Sequence, residues 1–160
     1  MDNPINLKKA QRELFWFGLI KIPLIFFCRP QLVALDYERV LVKIPLKRRT
    51  RNHLGSMYFG ALAVGADIAG GFLAFTIARQ KKYKMSLAFK SFEAQFLKRP
   101  EKDVYFESAA GAQVMAMLEE SKKTGERQNK MLAINAYCIE DGQNEMVATF
   151  NLELSLKVLS

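Results

Sequence analysis

A chain of 160 residues, half of them apolar and a quarter charged, can bury one sizeable core but not two ordinary ones, so a single domain over 1–160 is expected. The balance excludes a disordered polypeptide. The formal charge of +8 raises an anionic partner, whether nucleic acid, acidic lipid or a phosphorylated small molecule, without choosing among them. Nothing but that charge speaks for nucleic acid, so no nucleic-acid partner is expected. Cys28 and Cys138 lie far apart without metal-ligand spacing, and buried free thiols in a cytoplasmic protein are expected, with no metal site.

Asn3 before Pro4 reads as an N-cap with proline at the first helical position, and this N-terminal helix ends before Pro23. Leu7, Ala10, Leu14 and Phe17 form its core-facing stripe. The apolar run from Leu14 to Cys28 is broken by Lys21 and Pro23 and falls short of the roughly 20 residues of a membrane span. Phe15, Trp16 and Phe17 beside Lys8, Lys9 and Arg12 resemble an interfacial helix, but packing over the domain's own core is the expectation. Residues 1–30 are therefore a helical extension and 31–160 the core.

Leu32 to Leu35 and Val40 to Leu46 are extended, split by a turn at Asp36-Tyr37-Glu38. The basic loop Lys47-Arg48-Arg49-Thr50-Arg51 follows, either solvated or binding phosphate. From Ser56, an N-cap candidate after Gly55, a helix runs towards Arg79, and between Arg51 and Arg79 its only formal charge is Asp67. A helix apolar on nearly every face is a membrane span or is enclosed by its own domain, and the small residues here favour enclosure. Gly60, Ala63, Gly70 and Gly71 share the face of Asp67 and leave room for a backbone or ligand. An isolated carboxylate on such a face is costly unless it is used or paired.

A second basic cluster, Lys81, Lys82 and Lys84, follows the helix. Met85 to Leu97 is strand-like with a phase change that predicts a bulge at Lys90-Ser91. Asp103 to Ser108 is a short strand, and Ala109 to Lys123 a helix with Val114, Met115, Met117 and Leu118 inward and Gly125 as its stop. Lys130 to Ile139, apolar on both faces, predicts a central strand, and Asp141-Gly142 a hairpin turn. In the last strand Ala148, Phe150, Leu152, Leu154, Leu156 and Val158 alternate with polar residues. The sum is an α+β fold, one long and almost uncharged helix wrapped by a curved antiparallel sheet.

This element order, over roughly residues 30–160, resembles the hotdog fold. Residues 52–67 resemble the phenylacetyl-CoA-type thioesterase segment Asn-x-x-Gly-x-x-His-Gly-Gly-x-x-x-x-x-x-Asp, with Asn52, Gly55, Gly60 and Asp67 at the same spacing. Tyr58 stands for the family's histidine and Phe59 for the first of its paired glycines. The wording from Arg51 to Leu62 is also similar to a poorly characterised thioesterase-like branch of that superfamily.

The resemblance implies a homodimer, with dimers pairing further into tetramers as an open option, and sites between the central helix and the partner subunit. It implies hydrolysis of an acyl-CoA or acyl-carrier-protein thioester. Asp67 passes as nucleophile or general base, the N–H of Phe59 with Gly60 adjacent as oxyanion donors, and Asn52 as a bond to the catalytic water or the helix entry. Tyr58 can still donate through its hydroxyl. His53 is not at the family's histidine position and is expected to bond backbone. Arg48, Arg49, Arg51, Lys81 and Lys82 are the expected partners of CoA phosphates, CoA being part of the substrate and no separate cofactor being implied. The alternatives are a non-catalytic acyl-binding dimer and an acyl-thioester dehydratase, against which the lack of a second histidine counts.

Overall fold

The computed structural model describes residues 4–159. Four helices and six strands follow one another as α1 (Leu7–Ile20), α2 (Pro23–Cys28), β1 (Gln31–Leu35), β2 (Val40–Ile44), α3 (Phe59–Gln80), β3 (Lys84–Phe96), β4 (Val104–Ser108), α4 (Gly111–Thr124), β5 (Gln128–Glu140) and β6 (Gln143–Leu159). The strands form one antiparallel sheet in the order β1-β2-β4-β5-β6-β3, leaving one edge of β3 unpaired. The 22-residue α3 packs against this sheet, which is the expected α+β architecture.

The period-2 reading of β6 holds: Ala148, Phe150, Leu152, Leu154, Leu156 and Val158 are all buried. The register of β3 on β6 shifts between Phe89 and Ser91, at the expected bulge. Asp141 and Gly142 both have positive φ (48° and 76°), the backbone hand that a two-residue hairpin between twisted strands requires. β5 is central by pairing, but Met131, Ala133 and Asn135 are exposed, so only one of its faces is covered. α4 ends at Gly125 in the left-handed region, as expected.

α3 lies close to the sheet because Gly65 has no side chain. A Cβ there would meet three ring atoms of the fully buried Phe106 at 2.3–2.6 Å. Gly70 faces Leu152 and Phe89, so that part of the small-residue stripe is taken up by the sheet. α3 is also long and apolar enough to cross a membrane, but fourteen of its residues are buried inside the fold.

The N-terminus departs from expectation in two ways. The cap of α1 is Asn6, whose side chain accepts from the Lys9 N–H at 2.9 Å, and Asn3 lies outside the described residues. Pro23, expected only to follow the first helix, also opens α2 as its first residue, since proline needs no N–H partner there. α1 packs through Ala10, Leu14 and Gly18 and is tied to β1 by Gln11, which donates to Pro30 O (3.2 Å) and accepts from Leu32 N–H (2.6 Å). Phe15 and Trp16 stay outside, so the aromatic face is not the packed one.

Candidate active site

The loop before α3 determines where the helix can begin. Thr50 is buried, its hydroxyl donating to Pro45 O (2.6 Å) and accepting from the Lys47 N–H (2.9 Å), which closes the basic loop and leaves Lys47, Arg48 and Arg49 exposed. Asn52 holds the next turn: its Oδ1 accepts from the N–H of Leu54 (2.9 Å) and of Ser56 (3.2 Å), and its Nδ2 donates to Ser56 Oγ (3.0 Å). Ser56 is thereby used in the turn and does not cap the helix. The N–H of Met57 donates to Pro100 O (2.9 Å) and that of Tyr58 to Thr50 O (2.8 Å). Both residues are pinned to neighbouring loops, and the helix starts at Phe59 with Tyr58 as its extended N-cap.

At this start the N–H groups of Ala61 and Leu62 donate to Tyr58 O, while those of Phe59 and Gly60 have no acceptor among the described residues. They point along the positive end of the helix dipole, where negative charge is favoured. Tyr58 and Phe59 are both exposed, with ring centroids 4.8 Å apart. The Tyr58 ring lies against Gly60, where a Cβ would come within 2.4 Å of it. His53 is exposed in the turn.

Two turns further along the same face stands Asp67. Gly60, Ala63 and Asp67 are the half-buried strip of an otherwise enclosed helix segment. Asp67 lines a cavity of about 200 Å³ walled by apolar side chains, among them Leu14, Phe17, Ile25, Phe72, Phe75 and Phe89. No donor among the described residues bonds its carboxylate, and burial alone pushes its carboxyl above the ordinary value. A carboxylate that is desolvated and uncommitted is a stronger base than a solvated one, and is where catalytic groups are found.

Phe17, Phe72 and Phe75 are shared walls. On their other side a larger cavity of about 830 Å³ lies between α1 and the C-terminal end of α3, rimmed by Lys9, Arg12, Arg79, Lys82 and Lys84. Lys82 thus borders a cavity that adjoins that of Asp67, while Lys81 is in an ion pair with Glu119 at 2.8 Å. The structure does not bring the two basic clusters together. Arg48, Arg49 and Arg51 precede the start of α3 and Lys81 and Lys82 follow its end, roughly 33 Å of helix away. Leu14 and Phe17 were legible as an inward stripe, but nothing in their spacing said that they face Asp67. Lys84 was legible as part of the second basic cluster and Arg12 as one of the cations of the first helix, but nothing in their spacing said that they share a cavity with Arg79.

Residues 11–156 match the family model described as a domain of unknown function, DUF4442. The chain belongs to this family. No curated protein matches it. Solved structures share its fold. A protein of unknown function from Pseudomonas aeruginosa, described as a probable thioesterase, is 22% identical with a TM-score of 0.78, over 99% of this chain and 100% of that one. A protein of unknown function from Chlorobaculum tepidum gives 12% and 0.79 over 94% and 96%. A thioesterase family protein from Silicibacter pomeroyi gives 18% and 0.68 over 96% and 100%. This DUF4442 chain therefore has the hotdog fold of thioesterase family proteins.

Proposed function

We propose that this DUF4442 protein hydrolyses an acyl thioester, with CoA or an acyl carrier protein as the thiol, and the observation that carries the reading is Asp67. A lone, unbonded, desolvated carboxylate lines an apolar cavity, on the helix face whose first turn offers the unpaired N–H groups of Phe59 and Gly60. In the reading, the acyl chain occupies the cavity. Asp67 acts as general base towards water, or as nucleophile, at the thioester carbonyl carbon. The oxyanion forms on the helix-start N–H groups, and collapse expels the thiolate. The cations Arg12, Lys82 and Lys84 on the rim are assigned the phosphates of CoA, because their cavity shares Phe17, Phe72 and Phe75 with that of Asp67, while Arg79 on the same rim is paired with Glu13.

Phe59 and Asp67 are eight residues apart, about 12 Å along the axis. Reacting atoms must stand about 3–3.5 Å apart. The reading accordingly takes the N–H donors from one subunit and Asp67 from the other in a homodimer, and the unpaired edge of the 13-residue β3 supports such pairing.

The test is thiol release from acyl-CoAs of graded chain length, with Asp67→Asn beside the natural protein. Turnover by the natural protein that falls roughly 10²–10⁴-fold in the variant is expected. Equal turnover in both would sink the role of Asp67. One observation favours a second reading, a non-catalytic acyl-binding dimer: the Tyr58 ring lies across Gly60, narrowing the approach to the helix-start N–H groups. In that case acyl-CoAs raise the melting temperature without being hydrolysed.

A further inference from the structure

The charge of this chain is not evenly spread. Residues 1–51 hold eleven lysines and arginines against four carboxylates, so +7 of the net +8 resides there, and the remaining 109 residues are nearly neutral. Of those four carboxylates only Glu13 lies on the two N-terminal helices, and it is paired with Arg79 at 2.6 Å. A strong asymmetry of this kind points to a charged partner surface.

The same region carries a concentration of exposed large apolar side chains, seven of them on α1, α2 and the turn between them. On α1, Lys8, Arg12, Phe15, Trp16 and Leu19 follow one another at helical spacing on the face opposite Ala10, Leu14 and Gly18. The first half of this outer face is cationic and the second half apolar. The apolar surface continues through the turn and α2: Trp16, Ile20, Leu24 and Phe27 are each more than half exposed. Phe15 meets Trp16 and Phe26 edge-on at 5.7 and 5.2 Å, and the Arg29 guanidinium lies 4.0 Å above the Phe26 ring. In the last turn of α2, Phe27 shares a shallow depression with Lys47, Arg48 and Arg49. Cations thus flank the apolar hairpin on both sides.

We infer that the α1–α2 hairpin is a membrane-docking surface, seating Trp16, Ile20, Leu24 and Phe27 among the acyl chains of an anionic bilayer while Lys8, Lys21 and the Lys47–Arg49 loop meet its headgroups. Apolar side chains inserted at shallow depth with a cationic surround, and tryptophan at the boundary, are what hold a helix in the interface plane. Charge complementarity selects lipid carrying net negative charge, and each cation near such a surface strengthens partitioning about fivefold.

Trp16 is the only tryptophan, so its emission reports the docking directly. The experiment mixes the full chain with vesicles of phosphatidylglycerol and phosphatidylcholine, and with phosphatidylcholine alone. It follows Trp16 emission and co-flotation, for the natural protein, for Ile20→Ser with Leu24→Ser, and for Arg48→Glu with Arg49→Glu. Binding and a blue shift with anionic vesicles only, weakened by salt, are expected. Both double variants should lose at least tenfold in partitioning while keeping the natural melting temperature. Failure to float with anionic vesicles, or equal binding to neutral ones, overturns the inference. So does a change of the Ile20→Ser, Leu24→Ser protein to a smaller species in light scattering, which would make this face a contact between copies.

Discussion

Gly65→Ala isolates how closely α3 must approach the sheet. The added Cβ would stand 2.3, 2.4 and 2.6 Å from three atoms of the Phe106 ring, where ordinary contact begins near 3.4 Å. The ring has nowhere to go: Phe106 is fully buried in the central part of the sheet, its centroid 6.2 Å from that of Phe150. The helix must therefore lift by about 1 Å, a strain of about 3 kcal/mol for an overpacked core. Replacing glycine by alanine within a helix returns about 1 kcal/mol. The net loss of about 2 kcal/mol lowers the melting temperature by roughly 4–8 °C in a chain of this length. Gly71→Ala is the control, because its Cβ meets Phe89 and Leu87 at 3.5–3.7 Å and fits without movement. Thermal unfolding followed by circular dichroism reads both. A Gly65→Ala protein that melts at or above the natural one would refute the claim that Gly65 sets the helix-to-sheet distance.

Burial raises the carboxyl of Asp67, so its contribution to stability is present in acid and is lost as pH rises through the folded-state value. Asp67→Asn should accordingly melt higher than the natural protein at neutral pH, with the gap closing below the usual carboxylate range; a gap independent of pH would contradict this. Lys82→Glu should raise KM for acyl-CoA at low salt with kcat unchanged, and Arg49→Glu should not, because Lys82 borders the cavity that shares Phe17, Phe72 and Phe75 with that of Asp67 and Arg49 does not. Ser121 is fully buried, accepting from the Val158 N–H (2.9 Å) and donating to Glu126 O (2.7 Å). Ser121→Ala leaves that N–H without its acceptor and should cost about 1–3 kcal/mol, read as a lower urea midpoint at unchanged slope.

Strand periodicity and turn chemistry were legible where the physics is local. The β6 alternation, the bulge beside Lys90 and the Asp141-Gly142 turn are each specified by neighbouring residues. The helix start was not, because Ser56 has the chemistry of a cap but is held by Asn52, and Met57 and Tyr58 are held by Pro100 and Thr50. The contact of Met57 with Pro100 crosses the fold, and those of Ser56 with Asn52 and Tyr58 with Thr50 depend on a loop conformation that residue type alone does not specify. β5 looked apolar on both faces since Met131 and Ala133 read as core, yet nothing covers that side. In the candidate site, Asp67 stood out as the only formal charge between Arg51 and Arg79. The walls of its cavity did not, since Leu14 and Phe17 come from a helix more than forty residues earlier.

The enclosure of α3 also has a consequence in time. The helix is complete at Gln80, but its cover is drawn from strands on both sides of it in the chain, and the last, β6, ends at Leu159. On a ribosome adding roughly 5–20 residues per second, those final strands follow the helix by roughly 4–16 s. At the start of that interval the most apolar segment of the protein has only the elements before it to lie against, and β3, β4, α4, β5 and β6 join its cover one after another. Synthesis order therefore exposes the Asp67 helix to chaperones and to other nascent chains before its own sheet is complete, and the yield of folded protein should depend on what shields it meanwhile.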